Sequence, residues 1–146
     1  MEINELYQEL IIDHGTAPRN FYKLEGATHQ AEGFNPLCGD KIELYLIIDN
    51  NIIKSVSFQG QGCAISTASA SIMTELLPGK TLEQAQAIFA QFQELVTTKA
   101  AVSPGLGKLA ALAGVYVFPS RVKCATLAWH TLLSALVKDH KIATTE

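Results

Sequence analysis

Residues 41–59, KIELYLIIDNNIIKSVSFQ, alternate apolar and polar side chains around a short polar segment. The side chains that would share one face of the first half are Ile42, Leu44, Leu46 and Ile48. A period of two is typical of a half-buried β-strand. Residues 49–51, Asp-Asn-Asn, favour a tight turn. The segment therefore predicts a β-hairpin, with residues 52–59 as the second strand.

The elements around this hairpin follow from the same kind of pattern. A third strand is predicted within residues 27–34, before the turn at Asn35-Pro36. Thr81 and Gln84 have the spacing of a capping box, Ser103-Pro104 could begin a short helix, and Ser120 could cap the last helix. Five helices are predicted, over residues 2–14, 63–77, 81–96, 104–114 and 121–138.

The order of these elements predicts the fold class. Strands come first and most helices follow, which is typical of an α+β protein. We therefore expect a three-stranded antiparallel sheet with helices packed on one face. The chain has 146 residues, no internal repeat and no low-complexity tract, so we expect residues 1–146 to form a single domain.

Composition and charge exclude several classes of protein. The chain is 48% hydrophobic and 17% charged with a net charge of −3, which is ordinary globular composition. Lys and Arg are scattered, so a nucleic-acid partner is not expected. The start of the chain carries acids rather than bases, and the apolar stretch at 127–137 is interrupted by polar residues, so neither a signal peptide nor a membrane span is expected. We expect a cytoplasmic protein whose thiols stay reduced.

The three cysteines lie at positions that favour reactive thiols. Cys38 lies in the turn between two predicted strands, Cys63 begins a helix, and Cys124 lies in the first turn or so of the last helix. The positive end of a helix dipole stabilises a thiolate and lowers its pKa. Arg121 and Lys123, on either side of Cys124, are expected to act in the same direction.

A shared metal site is one interpretation of these cysteines. Asp40 would add a carboxylate oxygen to three sulfurs, giving the four ligands that tetrahedral zinc prefers. The same set could hold an iron–sulfur cluster. The alternative is that each cysteine is a plain core residue, since free cysteines are often buried. His14 is expected to favour the end of the first helix as a cation, and His130 and Trp129 are interpreted as core residues rather than ligands.

Three cysteine segments resemble a known family. They are NPLCGD at 35–40, GQGCAIS at 60–66 and RVKCATL at 121–127. Together with residues 6–21, they resemble the motifs of the IscU/SufU/NifU N-terminal family over nearly the whole chain. The chain is most similar to the SufU branch, because the interval between Cys63 and Cys124 contains an extra segment at 99–115. Lys123 also stands where the IscU branch has a histidine ligand.

The resemblance implies a function in iron–sulfur cluster assembly. It implies a Zn²⁺ site formed by Cys38, Asp40, Cys63 and Cys124, with no histidine ligand. It also implies that Cys38 accepts sulfane sulfur from the persulfide of a SufS-like cysteine desulfurase, with Arg121 supporting that encounter. The protein would then act as a zinc-dependent sulfurtransferase that supplies a downstream iron–sulfur scaffold or acceptor.

Two other functions use the same residues. The first is a scaffold that assembles a [2Fe–2S] cluster; the absence of a histidine before Cys124 disfavours it. The second is a non-catalytic module with a structural zinc. An Asp ligand is unusual in structural zinc sites, which favour Cys and His, so it indicates an exchangeable site instead.

Overall fold

The computed structural model describes residues 3–98, 104–137 and 143–145. These residues form five helical segments and four strands. In chain order they are α1 (Ile3–Thr16), β1 (His29–Asn35), β2 (Asp40–Asp49), β3 (Ile52–Gln61), α2 (Ala64–Leu76), α3 (Leu82–Thr97), a 3₁₀ segment (Pro104–Val117) interrupted at Gly107, α4 (Pro119–Leu136) and β4 (Ala143–Thr144).

The sheet confirms the predicted hairpin and corrects the predicted strand count. β1 and β3 both pair with β2 in antiparallel register, and the turn residues Asn50 and Asn51 have φ angles of 55° and 65°. Positive φ at two turn residues matches the twist of the flanking strands. However, β4 adds a fourth strand that runs parallel to β1, in the order β3-β2-β1-β4. The sheet of the described residues is therefore mixed and four-stranded, not three-stranded and antiparallel. The sequence did not predict β4 because two residues are too few to show an alternating pattern.

The hydrophobic core lies between this sheet and the helices, which confirms the α+β class. Leu44 and Leu46 of β2 are fully buried, and α4 contacts β1, β2 and β4. Trp129 of α4 is fully buried, and its ring lies 5.5 Å from that of Phe92 of α3. Within the described parts of the chain, no helix is long and apolar enough to cross a membrane. The core therefore holds α4 firmly against the strands next to the cysteines.

Helix boundaries were predicted well in the middle of the chain and less well at its ends. The capping box of Thr81 and Gln84 is present and begins α3. The predicted Ser120 cap is wrong, because α4 begins at Pro119, whose missing N–H suits a first helical position. The helix predicted over 104–114 is a 3₁₀ segment that continues to Val117. Ser103 and the end of the last predicted helix, residue 138, lie outside the described residues.

Candidate metal centre

The turn between β1 and β2 places the first two candidate ligands. Cys38 lies in this turn with its side chain exposed, and Asp40 begins β2 with its side chain fully buried. Gly39 between them has a φ of +71°, a backbone conformation that residues other than Gly and Asn rarely adopt. Asn35 and Asp40 pair across the strands and close the turn. The backbone thus directs one ligand toward solvent and the other toward the protein interior.

Cys63 is the N-cap of α2, as its position in the sequence predicted. Its Sγ accepts a hydrogen bond from the backbone N–H of Ser66 at 3.4 Å. Its own backbone N–H donates to Asp40 Oδ1 at 2.8 Å. The same interaction joins the start of α2 to the start of β2.

Cys124 differs from its predicted environment. It is the sixth residue of α4, so it lies beyond the first turn, whose N–H groups are unpaired. Its side chain is only 2% exposed. Burial raises the pKa of its thiol, and hydrogen bonds to Asp40, Cys63 and Cys38 raise it further. The expectation that the helix end and its flanking bases lower this pKa was therefore wrong. Arg121, one of those bases, instead lies over the ring of Phe118 at 4.3 Å.

The candidate ligands converge on one point. Ligand atoms of Cys38, Asp40 and Cys124 all lie within 4.8 Å of one another, and the two sulfurs are 3.5 Å apart. Cys63 is not a member of this compact group, but its Sγ is 4.0 Å from Asp40 Oδ2. Thiolate and carboxylate are ligand types that zinc takes. The donor set therefore fits zinc. Cys38, Asp40 and Cys124 form its compact part, and Cys63 lies next to them.

Two residues outside the predicted ligand set also shape the site. Asn35 is fully buried, and its Nδ2 donates to Asp40 Oδ2 at 3.0 Å and to Cys124 Sγ at 3.5 Å. A side chain built at Gly62 would place its Cβ 2.6 Å from Asp40 Oδ1, so only glycine leaves room for this carboxylate. The signal for both was their place within the cysteine motifs.

The histidines do not join the site. The group that could hold a metal, among the residues described, contains none of them. His14 is fully buried and its Nδ1 lies 2.7 Å from Ser71 Oγ, and burial lowers its pKa, so its predicted role as a cation is wrong. The ring of His130 packs edge-on against Phe89 at 5.2 Å, as expected of a core residue. His140 lies outside the described residues.

Exposed apolar side chains lie next to Cys38 in the chain and at the start of α4. Leu37, the neighbour of Cys38 in the turn, is 61% exposed, and Phe118, the N-cap of α4, is 47% exposed. An open groove of about 340 Å³ lies between α1, the 3₁₀ segment and the start of α4. Ile65, two residues after Cys63, and Arg121 both line this groove. The predicted partner-binding residue therefore lies on an accessible surface of mixed apolar and basic character.

Comparison with known proteins identifies the class. Residues 6–142 match the family model described as the NifU-like N-terminal domain. The match covers β1 to β3, most of α1, the other helices and all three cysteine segments. The chain belongs to this family, which comprises the IscU and SufU iron–sulfur cluster assembly proteins.

Individual relatives cover almost the whole chain. The zinc-dependent sulfurtransferase SufU of Bacillus subtilis is 39% identical over 138 residues, covering 94% of this chain and 93% of that protein. The iron–sulfur cluster assembly scaffold protein IscU of Streptococcus pyogenes is 40% identical over 139 residues, covering 94% and 87%. The crystal structure of a proposed SUF-system scaffold protein from Fervidobacterium islandicum superimposes with a TM-score of 0.84, at 36% identity and with 92% and 99% coverage.

Proposed function

We propose that this protein is a zinc-dependent acceptor of persulfide sulfur, of the SufU type, acting in cytoplasmic iron–sulfur cluster assembly. The observation that carries the proposal is the position of Cys38. It is the exposed cysteine of the three, in a turn, and its Sγ lies within 4.8 Å of a buried carboxylate and 3.5 Å from a second sulfur. An accessible thiol beside metal-binding groups suits sulfur exchange with another protein.

The donor set supports zinc as the cofactor. Cys38, Asp40, Cys63 and Cys124 would hold it, and no histidine belongs to the group within the described residues. When bound, zinc would keep the cysteine sulfurs deprotonated and hold the site closed. Lys123 stands where the IscU branch has a histidine ligand, which also favours the SufU branch.

The sulfur-transfer step uses Cys38 as the nucleophile. Its thiolate attacks the outer sulfur of a persulfide on the donor cysteine. A bond forms between Cys38 Sγ and that outer sulfur, the donor's sulfur–sulfur bond breaks, and the donor cysteine leaves as a thiolate. The transferred sulfur keeps its proton, so atoms and charge balance. Asp40 and Asn35 hold the base of the turn in place, through Oδ2 and Nδ2 at 3.0 Å.

The partner in this step is a cysteine desulfurase, and exposed Leu37 beside Cys38, together with Arg121 on the open groove, supports such an encounter. Arg121 would interact with an acidic or carbonyl group of the partner, while Leu37 would lose solvent contact on docking. The sulfur would then pass to a downstream iron–sulfur scaffold or acceptor.

The experiment is stimulation of cysteine turnover by a SufS-like desulfurase from the same organism. Cys38→Ala should abolish stimulation because it removes the nucleophile. Lys54→Ala, an exposed change in the hairpin strand β3, serves as the matched control and should stimulate like the wild type. Undiminished stimulation by Cys38→Ala would refute the proposal. Arg121→Ala should raise the half-saturating concentration, and Arg121→Lys should partly restore it.

A [2Fe–2S] scaffold is the second candidate function, favoured by the 40% identity to the Streptococcus pyogenes IscU scaffold protein. Anaerobic reconstitution with iron and sulfide distinguishes the two. A stable, coloured, stoichiometric cluster would support the scaffold, whereas one zinc per chain without sulfide would support sulfur transfer. A structural zinc module would instead unfold when the metal is removed.

A further inference from the structure

The sulfurs of Cys38 and Cys124 lie close enough to react with each other as well as to share a metal. They lie 3.5 Å apart, one on an exposed side chain and the other on a side chain that is 2% exposed. A disulfide bond is about 2.0 Å long, so the two atoms need to approach by only about 1.5 Å. Cys38 lies in a turn beside Gly39, where such a movement involves no helix or strand.

We infer that Cys124 is a resolving thiol, which releases the sulfur carried by Cys38 as sulfide when the site holds no metal. The inference rests on the proposed function, because it starts from a persulfide on Cys38. Its products are hydrosulfide and a Cys38–Cys124 disulfide. The chain would thus convert transferred sulfane sulfur into the sulfide that cluster assembly consumes.

The step balances without an external reductant. Cys124 Sγ bonds to Cys38 Sγ, and the bond between Cys38 Sγ and the outer sulfur breaks. The electron pair of that bond leaves with the outer sulfur, which keeps its own proton and departs as hydrosulfide, while the thiol proton of Cys124 is released to solvent. The sulfane sulfur is reduced by two electrons and the two cysteine sulfurs are oxidised by two. A dithiol reductant then regenerates both thiols for the next cycle.

The arrangement favours this direction of attack. Displacement at sulfur needs the attacking and leaving atoms on opposite sides of the central sulfur. Cys124 approaches from the buried side, so the outer sulfur on exposed Cys38 is free to leave toward solvent. Asp40 has a carboxylate oxygen within 4.8 Å of both sulfurs and borders the pair. Asn35 Nδ2 lies 3.5 Å from Cys124 Sγ and steadies it.

Cys63 is less suited to resolve the persulfide. Its Sγ accepts from the Ser66 N–H at 3.4 Å and lies 4.0 Å from Asp40 Oδ2. It does not belong to the compact group that contains Cys38. Cys124 is therefore the better placed of the two cysteines to attack a persulfide on Cys38.

The test uses the full chain after removal of metal with a chelator. Wild type, Cys124→Ser and the control Lys54→Ala are loaded anaerobically with sodium tetrasulfide and desalted. Released sulfide and the masses of cysteine peptides are then followed over time. Wild type and Lys54→Ala should release about one sulfide per chain and form the Cys38–Cys124 disulfide. Cys124→Ser should retain the added sulfur on Cys38, with at least a tenfold slower release. Circular dichroism checks that each variant is folded.

Several results would overturn the inference. One is release from Cys124→Ser at the wild-type rate, and another is a disulfide that joins Cys38 to Cys63. The wild-type peptide map decides the question even where Cys124→Ser does not fold. A persulfide that remains stable on wild-type Cys38 would refute the release of sulfide by Cys124 but not the proposed acceptor function. A wild-type chain with neither persulfide nor disulfide at Cys38 would refute the proposed acceptor function, and the inference with it.

Discussion

Gly62→Ala changes the site without replacing any candidate ligand. The new Cβ would lie 2.6 Å from Asp40 Oδ1 and 3.1 Å from Asp40 Cγ, well inside ordinary contact distances. The carboxylate would have to move, although it is fully buried and accepts a hydrogen bond from the Cys63 N–H at 2.8 Å. We expect this hydrogen bond to break or lengthen and the carboxylate to leave its position beside Cys124.

The expected magnitude follows from that hydrogen bond. A hydrogen bond to a charged group contributes about 1.5–3 kcal/mol. Replacing Gly by Ala restricts the unfolded chain and offsets about 0.4–1 kcal/mol of the loss. The free energy of unfolding of the metal-free chain should therefore fall by about 1–2 kcal/mol. Displacing a group that orients metal ligands typically lowers metal affinity about 10–100-fold, and we expect a loss of zinc affinity in that range.

Two measurements check this prediction. Urea unfolding gives the free energy of unfolding of the metal-free chain, and competition with a chromophoric chelator gives the zinc affinity. Gly114→Ala is the control, because a Cβ there meets no heavy atom within 4 Å, and it should change stability by no more than about 0.5 kcal/mol. The reasoning fails if Gly62→Ala binds zinc as tightly as the wild type.

Three further changes test the packing around the site. Asn35→Ala removes a buried donor to Asp40, and the metal-free chain should lose about 1–3 kcal/mol in urea unfolding; an unchanged stability would contradict the assigned hydrogen bond. Burial lowers the pKa of His14 in the folded chain below its ordinary value of 6.5. The unfolded chain therefore binds this proton more readily than the folded chain, so the free energy of unfolding should be highest above pH 6.5 and fall as the pH decreases. His14→Gln should remove that part of the pH dependence, and an identical pH profile would exclude His14 as its source. Phe92→Ala, which removes a ring 5.5 Å from Trp129, should cost about 3–5 kcal/mol, and a loss under about 1 kcal/mol would show that the core is not packed as described.

Local features of the fold were predictable from the sequence. The alternation in residues 41–48 and the Asn50-Asn51 turn determine the hairpin through interactions between near neighbours. The Thr81–Gln84 capping box spans a single helical turn. Cys63 follows two glycines and begins a helix, and its N-cap position needs no distant partner. In each case, the residues that make the structure are close together in the chain.

The remaining features depend on contacts between distant segments. β4 pairs with β1 although about 110 residues separate them in the chain, and two residues have no recognisable period. The environment of Cys124 depends on Asn35 and Cys38 from the other end of the chain. The direction of its pKa shift therefore follows from burial and not from the charges of its sequence neighbours Arg121 and Lys123. Neither effect follows from local pattern.

The role of Cys38 as the sulfur acceptor is tested most directly by locating transferred sulfur after a single turnover. The zinc-loaded protein is mixed with its desulfurase and one equivalent of cysteine, quenched with an alkylating agent, and digested for mass spectrometry. We predict that the peptide containing Cys38 gains one sulfur atom while those containing Cys63 and Cys124 do not. Sulfur that remains on the desulfurase, or that is found first on Cys63, would contradict the assignment.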